Sequence, residues 1–185
     1  MNVKRFRKTQ TITSILTFIS VFLFCWYVTE FKITDIQLSF WGADSKYSWL
    51  WNFCLSMLSI SIFINIFIYI NQHTRLNSRY LRFHKLSFLF TSLCLFITGI
   101  FNLHYEIHNI TAYLYFFSYP LVIFLFAHLN RKTMKYDEWK THLIFSIAMV
   151  MAPLTVIKFF PGMAVSEIIH SILIIGWNAW ILTID

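Results

Sequence analysis

Two pairs of side chains have the types and spacing that chemistry needs. His104 and His108 stand four apart in His-Tyr-Glu-Ile-His, and Glu167 and His170 stand three apart. On a helix either spacing puts both groups on one face. Two histidines four apart can ligate one metal ion, as on a zinc-protease helix, but Glu106 is not placed as HExxH requires. Metal ligation through His104, His108 and His170 therefore stands beside a plainer reading, in which interfacial rings bond loop carbonyls or water. The face holding Glu167 and His170 continues through Ser171, Ile174 and Asn178. Ionisable groups inside a membrane are costly and turn toward the bundle interior. That stripe reads either as a polar, proton-linked pocket or as a hydrogen-bonded contact between helices.

The acidic residues sort unevenly. Glu30, Asp35, Asp44, Glu106 and Glu167 fall at the same end as these three histidines, against Asp137, Glu138 and Asp185 at the other. Asp44, Asn52, His104, His108, Glu167 and His170 are accordingly the expected members of one polar site, and whether they meet in a single cavity is the question for the structure. Other polar stripes, Thr13, Thr17 and Ser20, or Asn52, Ser56 and Ser59, or Ser87, Thr91 and Thr98, read as packing and interhelical hydrogen bonds. Asn65, near the middle of an apolar run, requires a partner on another helix. Trp41, Trp49 and Trp51 read as an aromatic belt at a membrane surface.

The elements that must carry these residues are apolar. Of 185 residues 58% are hydrophobic and only 12% charged, where a soluble domain carries about a quarter. Mean hydropathy is +0.63. The apolar residues form six long runs, about 11–29, 49–70, 86–103, 111–129, 142–160 and 165–184, each near the roughly 20 residues that span a bilayer. They lack the alternation and regular turns of strands. The expectation is an all-α, polytopic bundle of six transmembrane helices in one domain. Pro120 and Pro153 fall within runs, where neighbouring helices can satisfy the freed carbonyls, and Pro161-Gly162 marks a turn. The first run follows a basic head without a small-residue cleavage site, so it reads as an uncleaved helix.

Twelve of the fifteen Lys and Arg lie in three clusters: Lys4, Arg5, Arg7 and Lys8; Arg75, Arg79, Arg82 and Lys85; Arg131, Lys132, Lys135 and Lys140. Alternate loops carry them, and the positive-inside rule then places both termini in the cytoplasm. The net charge of +7 consequently reads as topology and lipid contact, with no basic patch or motif for nucleic acid. Cys25, Cys54 and Cys94 lack CxxC spacing. A Cys25–Cys54 disulfide is one reading, and buried small apolar residues the other. No Walker, nucleophile-elbow or Gly-rich phosphate pattern occurs, and no cofactor is expected.

Several short motifs point further. Leu38-Ser39-Phe40-Trp41-Gly42, then Trp51-Asn52-Phe53, Gly99-Ile100-Phe101, and His108-Asn109-Ile110-Thr111-Ala112 leading to Phe116-Phe117 resemble a bacterial membrane-protein family, the domain of unknown function nine-nine-eight. That family is itself distantly similar to the DRAM and Frag-type membrane proteins. The resemblance covers about residues 35–130. It implies six helices and carries Ser39, Gly42, Asn52, Gly99 and His108 as matching positions, which adds Ser39 to the expected polar site. The chain departs from the pattern at Asn102, where the family tends to have proline.

The expected protein is thus a multi-pass protein of the cell membrane, a bacterial inner membrane, with membrane lipids as partners and self-association left open. Its expected role is binding a lipid or small hydrophobic ligand, or assisting an envelope process, through an outward-facing polar site. A membrane enzyme using His108, His170 and Glu167 on lipid is the alternative, and a small transporter a further one.

Overall fold

Hydrocarbon offers no partner to a backbone amide, so an apolar run that crosses it must satisfy its own N–H and C=O groups, which a helix does. The computed structural model describes residues 3–29, 38–43, 46–73, 76–101, 103–160 and 162–184. Asp44 of the expected site lies outside the described residues, as do Glu30, Lys32, Asp35, Arg75, Asn102, Pro161 and Asp185. Six α-helices carry the chain: α1 (Val3–Thr29), α2 (Ser48–Gln72), α3 (Leu81–Ile100), α4 (Glu106–Asn130), α5 (Tyr136–Ile157) and α6 (Ala164–Trp180). Short 3₁₀ helices at Leu38–Gly42 and Ser78–Tyr80 are the remaining elements, and no strand occurs among the described residues.

Five helices, α1 to α5, are long and apolar enough to cross a membrane. The sixth is shorter at 17 residues. Boundaries differ from the hydropathy runs mostly at the basic end, where α1 begins at Val3, α3 at Leu81 and α5 at Tyr136. Hydropathy marks where apolar residues stop, whereas a helix continues through polar residues until its backbone bonding is broken. At the other end, Phe101 turns extended and closes α3, and α4 starts at Glu106.

Each helix packs against the next in antiparallel register. On α1 and α2, Phe24 meets Tyr47, Phe18 meets Trp51, and Arg7 meets Asn65. Ser59 on α2 bonds the Ser92 carbonyl on α3, and Ser146 on α5 bonds the Pro120 carbonyl on α4. On α5 and α6, Met149 meets His170 and His142 meets Trp177. Arg7 also reaches Ile181, so the start of α1 and the end of α6 lie at the same end of the bundle. The loop holding Arg131, Lys132 and Lys135, the 3₁₀ helix holding Arg79 and the start of α3 with Arg82 share that basic end. Ser39, Asn52, His104, His108, Glu167 and His170 all lie toward the opposite end.

Helices α2 and α3 approach each other closely at Gly99. A Cβ on Gly99 would stand 2.9 Å from the Ser56 nitrogen and 3.0 Å from the Asn52 oxygen, so only glycine admits this approach.

Polarity is distributed inside out. Leu23, Leu86, Phe117, Leu121, Ile144, Ile147 and Ile172 are exposed on the outer faces of the helices, while Arg7, Asn65, His84, Asn130, His142, His170 and Asn178 are buried. Water as solvent would favour the reverse. Lipid makes the exposed belt harmless and drives polar groups to find each other in the interior.

Candidate functional site

The 3₁₀ helix Leu38–Gly42 roofs the bundle at the end away from the basic loops. Trp41 is buried beneath it, donating to Thr29 Oγ1 at 2.9 Å and packing edge-on to Trp51 and Phe22. Asn52 Nδ2 donates to the Gly42 carbonyl at 3.0 Å. Glu167 on α6 accepts the Leu38 N–H at 2.6 Å. The roof is therefore tied to α1, α2 and α6. Trp41 and Trp51 are core residues, which corrects the aromatic-belt expectation for both; Trp49 alone of the three is exposed. The local tryptophan spacing could not reveal this, because the roof folds inward.

Under the roof lies a chamber of about 70 Å³, lined by Ser39, Thr98, His108, Glu167 and Ser171 among apolar residues including Phe18, Leu38 and Phe116. A water needs only about 10–15 Å³ of such space, so the chamber admits a small polar group. His108 Nδ1 sits 2.7 Å from the Phe101 carbonyl and 3.0 Å from that of Thr98. Both are acceptors, so Nδ1 carries the proton and Nε2 is left as the acceptor of the neutral ring. The same bonds satisfy carbonyls left open by the end of α3.

A second cavity of about 80 Å³ lies on the α5 side, lined by Phe116, Met149, Pro153, Ser166, Glu167 and His170 among others. Pro153 has no N–H to give the carbonyl four residues earlier, that of Met149. His170 Nδ1 supplies the missing donor at 3.0 Å. That bond fixes the proton on Nδ1 and leaves Nε2 buried without a partner. Glu167 and Phe116 line both cavities.

A third space, about 380 Å³, opens between α1 and α6 and is lined by Phe18, Ile19, Phe22, Leu38, Ile168, Ser171, Ile172, Ile175 and Gly176. Apart from the Ser171 hydroxyl its walls are hydrocarbon, aromatic rings and a glycine. It shares Phe18, Leu38 and Ser171 with the chamber beneath the roof. Ser171 was legible as part of the α6 stripe; Phe18 and Leu38 carry no local signal.

The expected residues are thus only partly united. Ser39, His108 and Glu167 share one chamber, and Glu167 and His170 share its neighbour. Asn52 instead fastens the roof. His104 is exposed in the turn before α4, so it does not share a helical face with His108, because the helix begins two residues later than the spacing requires. Among the described residues no group of three or more His, Cys, Asp or Glu side chains is placed to hold a metal. Cys25, Cys54 and Cys94 are free and buried.

Sequence reasoning missed a polar cluster toward the basic end. Arg7, grouped with the topology-setting cations, is fully buried instead. Its Nε donates to Asn65 Oδ1 and its Nη2 to the Ile181 carbonyl, each at 2.8 Å, and its guanidinium lies over the Tyr69 ring. Asn65 donates onward to Asn178 Oδ1 at 3.0 Å, and Asn178 to Tyr119 Oη at 2.9 Å. Nearby, Trp177 Nε1 donates to His142 Nδ1 at 3.0 Å. The partner required by Asn65, and Asn178 at the end of the α6 stripe, are the signals that pointed here.

Fold and site together are consistent with a multi-pass membrane protein: an all-helical bundle, apolar outside, with small, mainly apolar cavities that include Ser, His and Glu side chains at the end away from its basic loops. No family model matches the chain, and no curated protein or solved structure matches it. The family resemblance consequently rests on the short motifs alone.

Proposed function

We propose that the protein is a lipid-binding protein of the cell membrane that holds a single-chain amphiphile, with its apolar tail in the α1/α6 groove and its polar end beneath the roof. The observation that carries this reading is the continuity of the two spaces through Phe18, Leu38 and Ser171. An apolar slot that leads into a small chamber with Ser39, His108 and Glu167 matches a molecule greasy at one end and polar at the other. The resemblance to the domain of unknown function nine-nine-eight is in keeping with it, since the carried-over Ser39 and His108 line the chamber and Asn52 packs against both Gly42 and Gly99. By the positive-inside rule the chamber faces outward and both termini the cytoplasm.

Lipid retention tests the proposal. Native mass spectrometry of the protein from nanodiscs should show one bound lipid or fatty chain per protein, and Ser171→Phe, which blocks the junction, should lose it. Ile172→Trp, at the exposed lip of the groove, provides a second obstruction that leaves the chamber intact. Retention unaffected by both variants overturns the reading, as does wild-type protein that binds no lipid.

A further inference from the structure

We propose that the outer face of the α2/α3 hairpin at the basic end binds an anionic phospholipid, with its phosphate on Lys85 and Arg82 and an acyl chain along the exposed side of α3. This site is separate from the α1/α6 groove and does not depend on it. Arg82, Lys85, Leu86, Leu89 and Leu93 stand at helical spacing, so they form one stripe on α3. Arg82, Leu86, Leu89 and Leu93 are exposed and Lys85 is half-buried. The stripe is therefore cationic at the basic end and hydrocarbon beyond it. From Arg82 to Leu93 it rises about 16 Å, close to the roughly 15 Å of hydrocarbon in one leaflet.

Lys85 is held in place, which a topology signal alone does not require. Its ammonium donates to Asn71 Oδ1 at 2.6 Å and lies over the Phe67 ring, 5.3 Å from the centroid. Asn71 is itself fixed, because its Nδ2 donates to the Phe67 carbonyl at 2.7 Å, and that bond turns its oxygen toward the lysine. Asn71 takes one of the three N–H donors of the ammonium and leaves two for phosphate oxygens. Phe67 is exposed and extends the apolar surface beside the stripe onto α2. No Asp or Glu occurs anywhere in residues 45–105, which include α2, α3 and the whole connection between them, whereas Arg75, Arg79, Arg82 and Lys85 all do. The hairpin thus supplies cations and no carboxylate of its own. Asp137 and Glu138 at the same end open α5, and Glu138 is buried against His73 at 3.3 Å. A zwitterionic headgroup would bring a further cation to this surface, while a net anionic one offsets its charge.

Competition between two phospholipids tests the site. Phosphatidylglycerol and phosphatidylcholine with the same acyl chains are offered in equal amounts to the full-length protein in neutral detergent, and bound lipid is read by native mass spectrometry. Wild-type protein should retain the anionic lipid over the zwitterionic one by about tenfold, the size of one hydrogen bond to a charged group. Lys85→Gln should remove most of that preference, and Arg82→Gln, which serves if Lys85→Gln fails to fold, should reduce it. Lys140→Gln removes the same charge from an exposed position of α5 at the same end and should leave the preference unchanged. Wild-type protein with no preference, or an equal loss in Lys85→Gln and Lys140→Gln, overturns the site. Ile172→Trp, at the lip of the α1/α6 groove, should also leave the preference intact; its loss there would put the anionic lipid in the groove and overturn the hairpin site alone. Excess inorganic phosphate should not displace the lipid, and displacement would overturn the lipid assignment in favour of a free phosphate ligand.

Discussion

Arg7 and Asn65 join across 2.8 Å between α1 and α2, one a member of the basic N-terminal cluster and the other a buried asparagine in the half of α2 nearer the basic end. The same guanidinium reaches the Ile181 carbonyl just beyond α6, so a single side chain clasps three helices at the basic end. A cation beside the last carbonyls of a helix also offsets the negative end of its dipole. The groove that divides α1 from α6 thus opens away from a fastened end.

Removing the clasp from the Asn65 side should destabilise the bundle. Asn65→Leu takes away the acceptor for Arg7 and the donor to Asn178, and a loss of about 1–3 kcal/mol is expected. Thermal unfolding in detergent, followed by size-exclusion fluorescence, measures it. Arg7→Lys should fall nearly as far, because an ammonium lacks the fork that spans both acceptors. Arg82→Ala, on an exposed position of α3, should stay within about 0.5 kcal/mol of wild type.

Gly99→Ala should be destabilising by about 1–3 kcal/mol through overpacking, since backbone atoms of α2 stand in the way of the added methyl. Gly176→Ala is the contrast. Its nearest obstacle is a Phe145 ring carbon at 3.4 Å, and unfolding at the wild-type temperature is expected there. Equal behaviour of the two alanine variants would refute the close-approach argument.

His170 and Pro153 should be energetically coupled through the Met149 carbonyl. His170→Phe alone strands that carbonyl, at a cost of about 1 kcal/mol. In a Pro153→Ala background the new amide N–H can take the carbonyl back into the helix ladder, so the same histidine change should cost less. A double-mutant cycle with a coupling of about 0.5 kcal/mol or more is the expected result.

Orientation is open to direct chemical test because Cys25, Cys54 and Cys94 are all buried. His104→Cys, in the exposed turn before α4, should react with a membrane-impermeant maleimide added to intact cells. Thr133→Cys, in the exposed loop between α4 and α5, should react only after the membrane is opened. The reverse pattern would turn the bundle over and place the chamber on the inner side.

Much of the fold is legible in the sequence because lipid imposes a local rule. A helix that must cross hydrocarbon needs an apolar run of sufficient length, and such runs announce themselves residue by residue. The site is less legible. His108 and Glu167 come from helices that are not neighbours in sequence, and their shared chamber depends on how α4 and α6 are rotated. His104 shows the limit of spacing arguments, since a two-residue difference in where α4 begins removes it from the face of His108. Trp41 and Trp51 show another: an aromatic residue near a span boundary serves equally at a membrane surface or in a core.

The sequence by itself determined the class of element, the six runs, the alternation of basic loops and the end at which five of the eight acidic residues and three of the seven histidines fall, because each depends on composition within one segment and its solvent. Only the tertiary structure decided that Arg7 is a buried clasp, that Pro153 dictates the tautomer of His170, and that the α1/α6 groove meets the chamber at Ser171. Those outcomes depend on which faces of distant helices pack together, and hydropathy, being summed along the chain, carries no information about the angle at which one helix turns toward another.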